Sequence, residues 1–146
     1  MTNDLTTDFT DVPKGRRRGN DLTALSEAEA RPLAGRRVLV AEDNIILSMH
    51  LALMLEQAGA EVEGPYPYAR EALGALDGRR VDAAILDHEL MGGTSAPVAS
   101  RLGELGVPFA YFTSHSREDV EGVGDAVMIE KPAEADALLA AVTSLL

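Results

Sequence analysis

From Arg36 onward the chain alternates between two hydrophobic rhythms. Residues 38–41, 83–86, 109–112 and 126–129 are short, nearly continuous apolar runs. Their length and lack of alternation suit strands covered on both faces, as in a parallel sheet. Segments of helical period lie between them. In the first, Leu47, Leu51, Met54, Leu55 and Ala58 fall on one face, and Gly59 follows as a natural end to the helix. A weaker strand around Val62 leads through Gly64 and Pro65 to a helix over 69–76 that stops at Gly78. A loop at Gly92 and Gly93 precedes a helix over 97–105, a short polar helix follows over 117–121, and the last helix covers 133–146. Strict alternation of this kind predicts an α/β fold, a five-stranded doubly wound parallel sheet with helices on both faces.

The first 35 residues break the pattern. They are polar, interrupted by Pro13, Gly15, Gly19, Pro32 and Gly35, and carry a basic cluster at Lys14 and Arg16 to Arg18. We expect an arm over 1–35, with a short helix over 21–30, and a single domain over 36–146. A solvated arm is the favoured reading of the arginines over a grip on a nucleotide or phosphate.

Composition narrows the chemistry. The 146 residues are about one domain long, so no second catalytic or DNA-binding domain is expected. A formal net charge of −11 argues against nucleic acid and anionic membrane as partners. With no cysteine, disulfides, thiolate metal sites and thiol nucleophiles are excluded, and any metal must be held by oxygen or imidazole. No apolar run approaches the roughly 18–20 residues that span a bilayer, and the amino terminus is acidic rather than signal-like, so a cytoplasmic protein is expected. The three histidines show no ligand spacing, and His50 is read as a packed or solvated helix residue.

The informative residues sit where the apolar runs stop. Glu42 and Asp43 follow the first strand, Asp87 the third, Thr113 the fourth, and Lys131 lies two residues beyond the fifth. Open parallel sheets bind ligands at the carboxyl ends of their strands, so residues scattered over the chain converge on one site. Three carboxylates make an oxygen-rich pocket suited to Mg²⁺. A lysine and a hydroxyl supply the cation and the donor that a phosphoryl group needs. Any one of these residues alone is ordinarily a cap or turn residue. Only the conjunction is specific.

The motifs Val-Leu-Val-Ala-Glu42-Asp43-Asn, Ala-Ala-Ile-Leu-Asp87, Tyr-Phe-Thr113-Ser and Glu-Lys131-Pro132 together resemble the receiver domains of two-component response regulators, over residues 36–146. That resemblance implies a flavodoxin-like fold in which Asp87 is phosphorylated. Glu42 and Asp43 would hold Mg²⁺ directly or through water, with Asp87 and the backbone carbonyl of Glu89 as further ligands. Thr113 would contact the phosphoryl oxygens, Lys131 would pair with Asp87 or its phosphate, and Lys131-Pro132 would be a cis peptide. The implied donor is a sensor histidine kinase or a histidine phosphotransfer protein. The output would be contact with a downstream protein, with a homodimer left open. Such a domain is a phosphoacceptor rather than an enzyme, with at most slow autodephosphorylation, in which Glu89 and His115 would flank the approach of water. A narrower likeness is to single-domain receivers with a Pro-Phe-x-Phe-Ala-Thr-Gly-Tyr signature. Phe112, Ser114 and His115 stand at its Ala, Gly and Tyr places, and Met128 stands where ordinary receivers carry an aromatic.

Two other readings compete. A phosphatase with an aspartyl nucleophile usually has a second Asp two residues on, where this chain has Glu89. A degenerate receiver used only as a scaffold would have lost part of the set of five residues that is complete here. The first helix also carries Ile46, Met49 and Leu53 opposite its core face, which predicts a docking surface for a kinase, a second subunit or the chain's own arm.

Overall fold

A computed structural model describes residues 31–120 and 126–146 of the chain. The basic cluster and the helix expected over 21–30 lie outside these residues, as does the end of the helix expected over 117–121. Two compact units are distinguished, Met1–Ala34 and Gly35–Leu146. In the first, the described residues form a turn closed by the Ala34 N–H on the Arg31 carbonyl at 3.2 Å.

The second unit runs β1 (Arg37–Ala41), α1 (Ile45–Gln57), β2 (Glu61–Tyr66), α2 (Ala69–Gly78), β3 (Ala83–Leu86), β4 (Glu89–Leu90), β5 (Gly93–Thr94), α3 (Ala96–Leu105), β6 (Phe109–Thr113), β7 (Val127–Glu130) and α4 (Ala135–Leu145). Five strands form one parallel sheet in the order β2-β1-β3-β6-β7. The expected α/β architecture is therefore the observed one.

Its core has two layers because strand residues alternate faces. Leu39, Ala41, Ala84, Leu86 and Tyr111 pack with Ala72 and Leu76 of α2 and Val98 and Leu102 of α3. The intervening Val38, Val40, Ala83 and Ile85 are equally buried, on the side where α1 and α4 meet. Each fully buried aliphatic side chain of this kind contributes about 1.5–3 kcal/mol of hydrophobic stabilisation before chain entropy is counted. On α1, Leu51, Met54 and Leu55 are buried as the spacing predicts. Asn44 caps it, its side-chain oxygen accepting from the Leu47 N–H at 2.9 Å.

Two local expectations need correction, and a third is met in part. The segment at Gly92 and Gly93 belongs to a small antiparallel hairpin, β4 with β5, rather than a plain loop, with Met91 and Gly92 in the turn and Gly93 opening β5. The strand around Val62 does not give way at Gly64 and Pro65 but runs through them to Tyr66. It can do so because, among the described residues, β2 is an edge strand with one side free of ladder partners, and because its pairing with β1 slips between Leu39 and Ala41. Gly64 sits in this bulge at φ +101°, where a Cβ would come within 2.8 Å of the Val40 carbonyl oxygen. The short polar helix expected after β6 is, as far as it is described, a single 3₁₀ turn at Arg117–Asp119, followed by Val120, which is buried in the core.

Candidate functional site

The register of the sheet brings the chemistry together. Ala41 pairs with Leu86, so Glu42 and Asp87, the residues after them, leave the sheet side by side. The Asp87 N–H donates to the Ala41 carbonyl at 2.9 Å, and the Glu42 N–H to the Tyr66 carbonyl at 3.0 Å. On the other flank Thr113 pairs with Glu130, which places Lys131 directly beyond it. The Lys131 N–H donates to the Thr113 carbonyl at 2.8 Å. The Lys131-Pro132 bond is cis, as expected.

At the centre lies one cation between two acids. Lys131 Nζ donates to Asp87 Oδ2 at 3.0 Å and to Glu42 Oε1 at 3.1 Å. Both carboxylates are buried, Glu42 being 2% and Asp87 8% exposed. Asp43 is half-buried and completes a cluster in which one carboxylate oxygen each from Glu42, Asp43 and Asp87 lies within 4.8 Å of the others.

The electrostatics follow from this crowding. Burial pushes the Glu42 carboxyl up to about 7, with the neighbouring Asp87 charge adding to it, against the opposing hydrogen bonds from the Asn44 N–H and Lys131. Burial alone would lower the Lys131 ammonium, but its bonds to Asp87 and Glu42 outweigh it and hold the group above its ordinary value. One lysine thus faces more negative charge than it can neutralise. A donor set made only of carboxylates, with charge to spare, fits a hard divalent cation such as Mg²⁺.

Thr113 is fully buried at the adjacent strand end, and its Oγ1 accepts from the His115 N–H at 3.2 Å. Glu89 is not one of the clustered carboxylates. It lies on β4 with its side chain turned to His115, Oε2 to Nε2 at 3.4 Å. The two residues expected to flank the site therefore meet each other. Missed from the sequence was His88, whose ring stands edge-on to His115 at 5.4 Å and to Tyr111 at 6.4 Å. Adjacency to Asp87 was the only signal available for it. Beyond Thr113, Met128 lines an open cavity of about 230 Å³ with His115, Ser116, Arg117 and Glu130.

No family model matches the chain. Among solved structures, the response regulator TrrA of Thermotoga maritima, in complex with Mg²⁺ and BeF, superposes with a TM-score of 0.67 at 25% identity, over 76% of this chain and 99% of that one. SdrG of Sphingomonas melonis Fr1 superposes at 0.66 and 30% identity, over 75% of this chain and 95% of that one. Other solved response-regulator receiver domains, at 21% and 24% identity, share the fold. The chain belongs to the response-regulator receiver family. A further relative of this receiver is the transcriptional regulatory protein PdtaR of Mycobacterium tuberculosis, 32% identical over 93 residues, or 62% of this chain. The match covers 45% of PdtaR, so the receiver chain spans less than half of that relative's length.

Proposed function

We propose that this receiver accepts a phosphoryl group on Asp87 in a Mg²⁺-dependent reaction and signals through protein contacts that the modification alters. The observation that carries the reading is the Lys131 ammonium held at 3.0 Å from Asp87 and 3.1 Å from Glu42, beside Asp43. Glu42, Asp43 and Asp87, with the backbone carbonyl of Glu89, would hold the metal. When bound there, Mg²⁺ supplies positive charge to the oxygens of the transferring group.

The chain's own residues account for the rest. An Asp87 oxygen forms the new O–P bond as the P–N bond to a donor phosphohistidine breaks, the donor being a sensor histidine kinase or a histidine phosphotransfer protein. Lys131 moves its hydrogen bond from the Asp87 carboxylate to the phosphoryl oxygens, and the Thr113 hydroxyl turns to donate to them. Glu89 and His115, paired across the mouth, restrict the water that would hydrolyse the acyl phosphate, so the domain is a slowly resetting switch rather than an enzyme with turnover. The receiver is assigned to residues 36–146 with 1–35 as an arm, acting in the cytoplasm on a protein target. Among the described residues no helix is long and apolar enough to cross a membrane.

Intact-protein mass spectrometry after incubation with acetyl phosphate and Mg²⁺ tests this reading. One hydroxylamine-labile phosphoryl group is expected on the wild type and none on Asp87→Asn. Retention of the label in Asp87→Asn would refute it.

A further inference from the structure

A second concave site lies apart from the carboxylate cluster, where the start of α2, the β4–β5 hairpin and the start of α3 meet. Tyr68, Arg70, Met91, Gly92, Thr94 and Pro97 line an open cavity of about 310 Å³ there, at the lower end of the size range of small-molecule sites. None of Glu42, Asp43, Asp87, Glu89 and Lys131 lines it. Its walls are tied in place. The Met91 N–H donates to the Pro67 carbonyl at 2.9 Å, which joins the hairpin to the segment leading into α2, and the Ser95 N–H donates to the His88 carbonyl at 2.9 Å, which closes the base of the hairpin. A ligand therefore meets a preformed surface, and little of its binding energy is lost in ordering it.

The charge of this site is opposite to that of the molecule. The chain carries 24 acidic against 13 basic residues, yet no acidic side chain lines the cavity. Arg70 is its cation. The guanidinium lies over the Tyr68 ring, 4.2 Å from the centroid, which fixes its plane and leaves the N–H donors in that plane without a carboxylate or carbonyl partner among the described residues. Arg37, Arg79, Arg80 and Arg101, by contrast, each pair with an acid. Further donors stand beside it. Tyr68 caps α2 without a side-chain hydrogen bond, so the N–H groups of Ala69 and Arg70, both at the cavity wall, have no acceptor among the described residues. Glu71 follows in the same turn but does not line the cavity. The Thr94 Oγ1 accepts from the Ala96 N–H at 3.3 Å, which leaves its own hydroxyl proton to donate.

An unpaired planar guanidinium, free helix-start amides and a hydroxyl, set beside Met91, Pro97 and the Tyr68 ring, suit a ligand with a compact oxyanion at one end and an apolar body at the other. A tetrahedral phosphate offers acceptors to donors converging from several directions, which a flat carboxylate does not. We propose that this cavity binds a small phosphomonoester with an aromatic or apolar body, its phosphate held by Arg70 and the start of α2.

Phenyl phosphate is the probe. Titrated in EDTA into the full chain labelled with ¹⁵N, it should shift the amide signals of residues 69, 70 and 92–94 with a Kd of roughly 1 mM, ordinary for so small a ligand in an open site. Inorganic phosphate, which lacks the body, and phenol, which lacks the anion, should each bind at least about tenfold more weakly. Arg70→Gln should weaken phenyl phosphate at least about tenfold, because it removes the charge-assisted hydrogen bonds. Arg36→Gln, which removes another exposed arginine, outside the cavity, should leave the affinity unchanged. Unchanged far-UV circular dichroism would confirm that both variants are folded. Shifts confined to residues 42, 87, 113 and 131, an Arg70→Gln variant that binds as the wild type does, or equal weakening by the two substitutions would overturn the proposal. So would benzoate or inorganic phosphate binding as tightly as phenyl phosphate, since the site would then read neither the phosphate nor the body.

Discussion

Replacing Glu42 with glutamine separates what the acid cluster costs the fold from what it provides for binding. In the metal-free protein the Glu42 carboxyl is raised from 4.5 to about 7, chiefly by burial. The folded state therefore keeps a proton that the unfolded chain has already released between those values. The resulting stabilisation is complete below 4.5 and is lost as pH rises through 7. Above about pH 8 the ionised carboxylate costs the fold about 3 kcal/mol relative to its protonated form. Glutamine removes that cost and keeps an oxygen to accept from Lys131, but loses the second oxygen, which accepts from the Asn44 N–H at 3.1 Å. That loss takes back about 1 kcal/mol. In EDTA near pH 8, Glu42→Gln should thus be about 1–2 kcal/mol more stable than the wild type, a rise of roughly 5 °C in melting midpoint. Toward pH 4.5 the order should invert, because the wild-type carboxyl is then neutral as well. Urea unfolding followed by circular dichroism at several pH values measures the difference. Adding Mg²⁺ at the higher pH should favour the wild type, which alone keeps the full set of carboxylates. A stability difference that does not change with pH, or a wild type that is the more stable protein near pH 8 in EDTA, would refute the reasoning.

Asp43→Asn should weaken Mg²⁺ binding at least about tenfold by calorimetry while leaving the Asp87 label attainable at raised Mg²⁺, since it removes metal charge and not the attacked oxygen. Gly64→Ala should destabilise the domain by about 2–3 kcal/mol in urea unfolding, because alanine resists the positive φ and its Cβ would press on the Val40 carbonyl. With beryllofluoride as the phosphoryl mimic, amide shifts at residues 114–120 should be lost in Thr113→Ala and kept in Met128→Ala, because the buried Thr113 is tied to His115 whereas Met128 lines an open cavity. The reverse pattern would place the switch at Met128.

The strand ends were legible because each polar site residue follows an apolar run whose burial on both faces is written in its composition. The third strand was expected at 83–86 and is found there. Glu42, Asp87, Thr113 and Lys131 needed only the sheet order to meet. Pattern could not separate the buried Glu42 from the half-buried Asp43, since both are acids that follow the same apolar run and their burial is set by tertiary packing. Nor could it show the β4–β5 hairpin, because strands of two residues are too short to display a period. The pairing of Glu89 with His115 was equally hidden, as it joins β4 to the loop after β6, 26 positions apart in the chain. The exposed row on α1 was visible, because an amphipathic helix has one face to bury and this one has apolar residues on two.

The irregular edge of the sheet decides how the molecule can grow. An open strand edge is a template on which another chain can continue the ladder. Along β2 that template is interrupted, since Pro65 has no N–H to offer, the bulge at Gly64 throws the backbone out of register, and Glu61 and Glu63 would face the same charges on an approaching copy. Strand addition by another chain is thereby disfavoured on that side, and the sheet ends at β2 instead of serving as a template for growth.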